Sequence, residues 1–129
     1  MEEIAKNEYY SISVDSGKNR IYLTVQGFWK DPTVVPNYIQ DIEKAASSAL
    51  QDFTVITDIT QMRPPSPEVG ELHMKAQTAL VEKGLIATAE ILPESVIAQA
   101  SVDRYSKESG MNKGSFASIV EAESWLDQL

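Results

Sequence analysis

Tyr10-Ser-Ile-Ser-Val-Asp15 alternates with period two, placing Tyr10, Ile12 and Val14 on one face and Ser11, Ser13 and Asp15 on the other. Ile21–Gln26 alternates the same way and groups Ile21, Leu23 and Val25. Turn residues Ser16-Gly-Lys-Asn19 separate the two runs, so together they predict an antiparallel hairpin in a sheet with one dry face. Gly27 and Asp31-Pro32 stop the second strand. The period then changes: Val34, Tyr38, Ile42, Ala45, Ala46 and Ala49 recur at helical spacing. Pro36 fits the first turn of that helix, where its missing amide costs nothing, which predicts a start near Thr33 to Val35.

Phe53–Asp58 reads as a buried strand ending on a carboxylate, followed by a proline-rich turn. Ser66-Pro67 then opens a second helix, with a stripe of Val69, Leu72, Ala76, Ala79 and Leu80 and Gly84 as its C-terminal cap. Ile86–Leu92 predicts another parallel strand, halted by Pro93, and a helix from Glu94 to Ser109 with Ala98, Val102 and Tyr105 on its face, ended by Gly110. Ser115–Ser118 predicts a last short strand. Ser118 and Glu121 have capping-box spacing, ahead of a final helix that buries Ala122, Trp125, Leu126 and Leu129. The expected order is β-β-α-β-α-β-α-β-α, an α/β fold. An antiparallel edge hairpin leads into a mainly parallel sheet, with helices mostly on one face. Residues 1–7 are expected to lack order.

The chain has 129 residues and fits one domain, 1–129, able to bury a core without staples. Its hydrophobic content of 43% argues against disorder. It contains no cysteine, which excludes disulfides, thiolate nucleophiles and cysteine-ligated metal sites. The formal charge of −8, with basic residues spread along the chain, argues against nucleic acid and anionic membranes as partners. No signal-peptide pattern and no membrane-spanning run is evident, so membrane insertion is not expected and a soluble cytoplasmic protein is.

Four features occur in order: a strand closing on Gly27, the Phe53–Thr60 strand ending Asp-Ile-Thr, Gly84-Leu-Ile-Ala-Thr-Ala-Glu-Ile-Leu92, and Phe116 followed by Glu121-Ala122-x-x-Trp125-Leu126. Together they resemble the SpoIIAA-like superfamily, which includes the STAS domains of anti-anti-sigma factors and the SEC14-like lipid carriers. The chain looks most like the small stand-alone bacterial STAS/SEC14-type proteins, most of which lack an assigned activity. The resemblance implies a binding or switching module. Anti-anti-sigma factors carry an Asp-Ser-Ser-Gly-type turn whose serine is phosphorylated; here the stretch is Arg63-Pro-Pro-Ser66-Pro-Glu, without the serine pair or the glycine. Ser66 is the one residue onto which a phosphosite carries.

Ser66 before Pro67 is first an N-cap, its hydroxyl meeting an orphan amide of the second helix. As a phosphosite it would set charge at a positive helix end beside Arg63, with Glu68 opposing. Asp58 ends its strand at the sheet edge where ligands gather in open α/β folds, or it accepts amides of the following turn together with Thr60. His73 is the only histidine. It lies seven residues from Ser66, about 10 Å along a helix, so a serine–histidine pair fails and a partly exposed boundary histidine is expected. Phe28 and Trp29 are consecutive and cannot both point inward. One forms either a lid over the core's end or a gripping surface for a ligand or partner. Glycine-rich phosphate loops are absent from the sequence.

These readings predict a non-catalytic STAS-like module acting on a protein partner or small ligand through Trp29, Asp58, Thr60, Arg63 and Ser66, and forming a homodimer. The alternative is a small carrier of an apolar ligand or lipid, with a cavity beneath the helix bearing Ala98 and Val102. An enzyme ranks third, because no two candidate catalytic groups have workable geometry. No catalytic residue, metal ligand or cofactor is assigned.

Overall fold

A computed structural model describes residues 1–93, 105–108 and 111–129. Its centre is a seven-stranded sheet in the order β1-β2-β3-β4-β5-β7-β6. The strands are β1 (Glu2–Lys6), β2 (Tyr10–Asp15), β3 (Arg20–Gly27), β4 (Phe53–Met62), β5 (Leu85–Ile91), β6 (Tyr105–Glu108) and β7 (Met111–Phe116). The helices are α1 (Tyr38–Ser48), α2 (Pro67–Glu82) and α3 (Ile119–Asp127). β1, β2 and β3 pair antiparallel, β3, β4, β5 and β7 run parallel, and β6 returns antiparallel to β7.

The expected hairpin forms, with Asp15 opposite Arg20, but it is not the sheet's edge. Glu2–Lys6, expected to lack order, adds outside β2, with Glu2 opposite Val14 and Lys6 opposite Ser11. The helix predicted from Glu94 to Ser109 is corrected over its last turn. Residues 105–108 pair as a strand with 111–114, so cross-strand hydrogen bonding overrides the helical spacing there. Ala98, Val102 and Gly110 lie outside the described residues.

The first helix also begins later than predicted. Asp31 accepts the Thr33 amide at 2.8 Å and caps a single 3-10 turn over Pro32–Val34. Pro36 drives Val35 out of the helical region (φ −129°, ψ 60°), so the proline precedes α1 instead of opening it. The second helix matches expectation. Ser66 Oγ accepts the Val69 amide at 3.3 Å, Pro67 is the first helical residue, and Gly84 follows the C-cap at φ +114°.

Two of the three described helices cover one face and the third covers the other. Tyr10, Ile12, Ile21, Leu23, Phe53 and Val55 face α1 and α2 in the larger core. Ile56, Ala87, Ala89 and Phe116 face α3 through Ala122 and Leu126 in the smaller one. A buried cation fastens α3: Arg20 donates to Thr54 Oγ1 at 3.0 Å and to Asp127 Oδ1 at 2.9 Å, with Glu123 Oε1 3.7 Å from its second terminal nitrogen. Tyr22 reaches the same Glu123 carboxylate. Trp125 is half-buried against Phe116, not a full core residue, with ring centroids 5.4 Å apart.

At the start of β3, next to Arg20, Asn19 (φ 53°) joins two loops. Its side chain donates to Leu50 O and Gln51 O at 3.2 Å each, and accepts the Leu50 amide at 2.8 Å.

Candidate functional site

The parallel strands β3, β4, β5 and β7 end at one side of the sheet, the side where ligands collect in open α/β folds. There α2 and the start of α1 lie over the sheet and leave a cavity of about 200 Å³. Leu23 and Val25 of β3, and Ile59 and Met62 of β4, give it apolar walls. Tyr38 enters from α1, and His73, Ala76, Gln77 and Leu80 from α2. Thr57 and Glu90 are paired across β4 and β5 and so share the cavity face of the sheet.

The helical period explains why α2 turns these residues inward. Val69, His73, Ala76 and Leu80 follow one another at i, i+4, i+7 and i+11, a single stripe. Three of the four are fully buried. His73 is the polar member of an otherwise apolar face.

Its ring is held by aromatics. The Trp29 ring centroid lies 4.9 Å from that of His73, and Tyr38 stands edge-on at 5.7 Å. Trp29 Nε1 donates to Gln26 O at 3.1 Å and Tyr9 O at 3.3 Å, which fixes the indole to the end of the hairpin. Tyr38 and Tyr10 complete the cluster at 5.0 Å, and Tyr10 OH donates to Asp41 Oδ2 at 2.6 Å. The imidazole is therefore well oriented, yet its Nε2 is buried without a hydrogen-bond partner.

Burial lowers the His73 pKa and keeps the ring neutral. Burial raises that of Tyr38, with the Tyr10 phenol adding to the effect, so Tyr38 stays a protonated phenol. Burial also raises that of Glu90, while the Lys113 ammonium opposes the shift. Glu90 keeps more than a third of its surface in solvent, which tempers its shift.

The residues expected to form a binding surface lie in different local surroundings. Trp29 is buried at 2% exposure, and Phe28, at 52%, is the outward member of the pair. Asp58 sits within β4 instead of at its end. Its Oδ1 accepts the Thr60 amide at 2.9 Å and the Thr60 hydroxyl at 2.7 Å, the turn-capping reading. Asp58 pairs with Ile91, a residue of the α3-side core, whereas Ser66 caps α2 over the opposite face. Arg63 is exposed in the connecting loop, where its amide donates to Gly27 O at 3.0 Å.

Among the described residues no group of three or more histidines or carboxylates could hold a metal ion, and no helix is long and apolar enough to cross a membrane. No family model, curated protein or solved structure matches the chain.

Proposed function

We propose that this chain is a non-catalytic, STAS-like binding module of the cytoplasm that takes a small ligand in the cavity beneath α2. The cavity carries this reading. It lies at the carboxyl ends of the parallel strands, its walls are mostly apolar, and a few polar groups converge on it, the usual composition of a ligand site. At about 200 Å³ it is comparable to the roughly 150 Å³ apolar cavity known to admit benzene. That size favours a small molecule over a two-chain lipid, and so a binding module over a lipid carrier.

The test is a fragment screen followed by protein NMR. Binders should shift the amides of Thr57, His73 and Ala76 together, and Ala76→Leu, which fills the cavity from α2, should abolish those shifts while the fold melts cooperatively. Binders that perturb only other surfaces would remove the proposal.

A homodimer belongs to the same reading. Among the described residues β1 pairs on one side only, so its outer edge can accept another strand. Antiparallel pairing with a second copy about Ile4 sets Glu2 of one chain against Lys6 of the other, a favourable match of charge.

A further inference from the structure

We infer that the ligand of this cavity is an uncharged molecule with an apolar ring or short-chain body and one hydroxyl-type group, which hydrogen-bonds to His73 Nε2. This rests on the cavity-binding reading above and narrows it to a chemical class.

The charge inventory of the cavity gives the first reason. Among the described residues lining it there is no lysine or arginine, and the single carboxylate is Glu90. An anionic head group brought against these walls would lose its hydration with no cation to replace it, a large penalty. A cationic group fares little better. Glu90 stands at the rim, partly in solvent, and already has the Lys113 ammonium nearby. Neutral ligands avoid both costs.

The second reason is the orphan nitrogen. Buried polar atoms in folded proteins are nearly always paired, so the unpartnered Nε2 of His73, a residue of the cavity wall, is a bond left for a ligand group to make. The Trp29 and Tyr38 rings hold the imidazole, so little ordering of His73 is needed on binding. A hydroxyl both donates and accepts, and therefore suits Nε2 in either tautomer of the neutral ring. The rest of the ligand meets Leu23, Val25, Ile59 and Met62, which reward apolar surface.

Four probes share one ring and differ only at the head: benzyl alcohol, toluene, benzoate and benzylamine. His73 is the only histidine, so its ring nitrogens give an unambiguous signal in long-range proton–nitrogen spectra. Each probe is titrated into the full chain while its affinity and the Nε2 resonance are followed. Benzyl alcohol is expected to bind about fivefold tighter than toluene, the worth of one ordinary hydrogen bond, and to move Nε2. Benzoate and benzylamine are expected not to bind. His73→Phe keeps a ring against Trp29 and should bring the alcohol down to the level of toluene.

Tighter binding of benzoate or benzylamine, or an alcohol preference retained in His73→Phe, would overturn the inference and leave the cavity reading in place. If the variant does not fold, the wild type decides alone: an Nε2 resonance unmoved at saturating benzyl alcohol overturns it. If none of the four probes shifts any cavity amide, the cavity reading falls, and the inference with it.

Discussion

The Trp29 indole and the His73 imidazole lie 4.9 Å apart between centroids, tilted by 36°. They come from the end of β3 and the second turn of α2, so this one contact ties the hairpin to the helix over the cavity. It also takes much of the imidazole out of water, and that has a thermodynamic consequence.

In the unfolded chain His73 titrates near 6.5, and burial lowers that value in the folded state. As the pH falls below 6.5 the unfolded chain takes up a proton that the folded chain resists. The stability present above 6.5 is therefore lost as the pH falls toward the folded value. Glu90 acts in the opposite sense, because its folded pKa is raised: its contribution is present below 4.5 and fades as the pH rises. The difference between wild type and His73→Phe isolates the histidine. Between pH 7 and 5, chemical denaturation should show the variant gaining on the wild type. A constant difference would contradict the assignment.

Arg20 is 3% exposed, and its carboxylate partners on α3 reach solvent. Arg20→Met should cost about 3 kcal/mol, the low end for breaking a buried pair, because Glu123 and Asp127 can rehydrate. Hydrogen exchange should show the loss concentrated in α3. Uniform loss of protection across α1 and α2 would mean that Arg20 does more than fasten that helix.

Gly114 lies under the Phe116 and Trp125 rings. A Cβ at this position would come within 2.8 Å of Phe116 Cε2 and 3.2 Å of Trp125 Cζ3. Gly114→Ala should destabilise by about 1–3 kcal/mol through overpacking, read as a lowered denaturation midpoint with an unchanged slope.

The proposed strand-edge dimer depends on Glu2 meeting Lys6 of a second copy. Lys6→Glu would put like charges opposite each other at both ends of the joint, and sedimentation should then show weaker self-association than the wild type, more so at low salt. Equal association of both proteins would place any dimer elsewhere.

Much of the scaffold was legible because local signals and tertiary demands agree. The alternation of Tyr10–Asp15 and Ile21–Gln26 is what a sheet with one dry face requires, and Ser66-Pro67 and Ser118 are chemically suited to start helices. The signals misled where pairing partners were distant. Nothing local in Glu2–Lys6 announces that β2 waits beside it, and Tyr105–Glu108 follows β7 instead of its own helical spacing. Asp58, singled out in the sequence, pairs with a residue of the α3-side core, whereas the cavity lies beneath α2. Asp58 and Ser66 are functional residue types that read first as local caps, and caps are what they form. His73 was readable. It completes the stripe of Val69, Ala76 and Leu80, and a polar residue on an apolar stripe is a stronger pointer inward than its chemistry alone.

The arrangement of pairings also bears on how the chain folds. On the β1–β3 flank every strand meets a neighbour close in sequence, while β3–β4, β4–β5 and β5–β7 must each wait for an intervening stretch to cross over. Short-range closure is quick and long-range closure is slow. The meander is thus the natural nucleus, and Asn19, bonded to the loop that leads into β4, sits at the point where that nucleus recruits its first distant strand. Changes at Asn19 should register in the rate of folding, and changes in α3, packed on the far face, in the rate of unfolding.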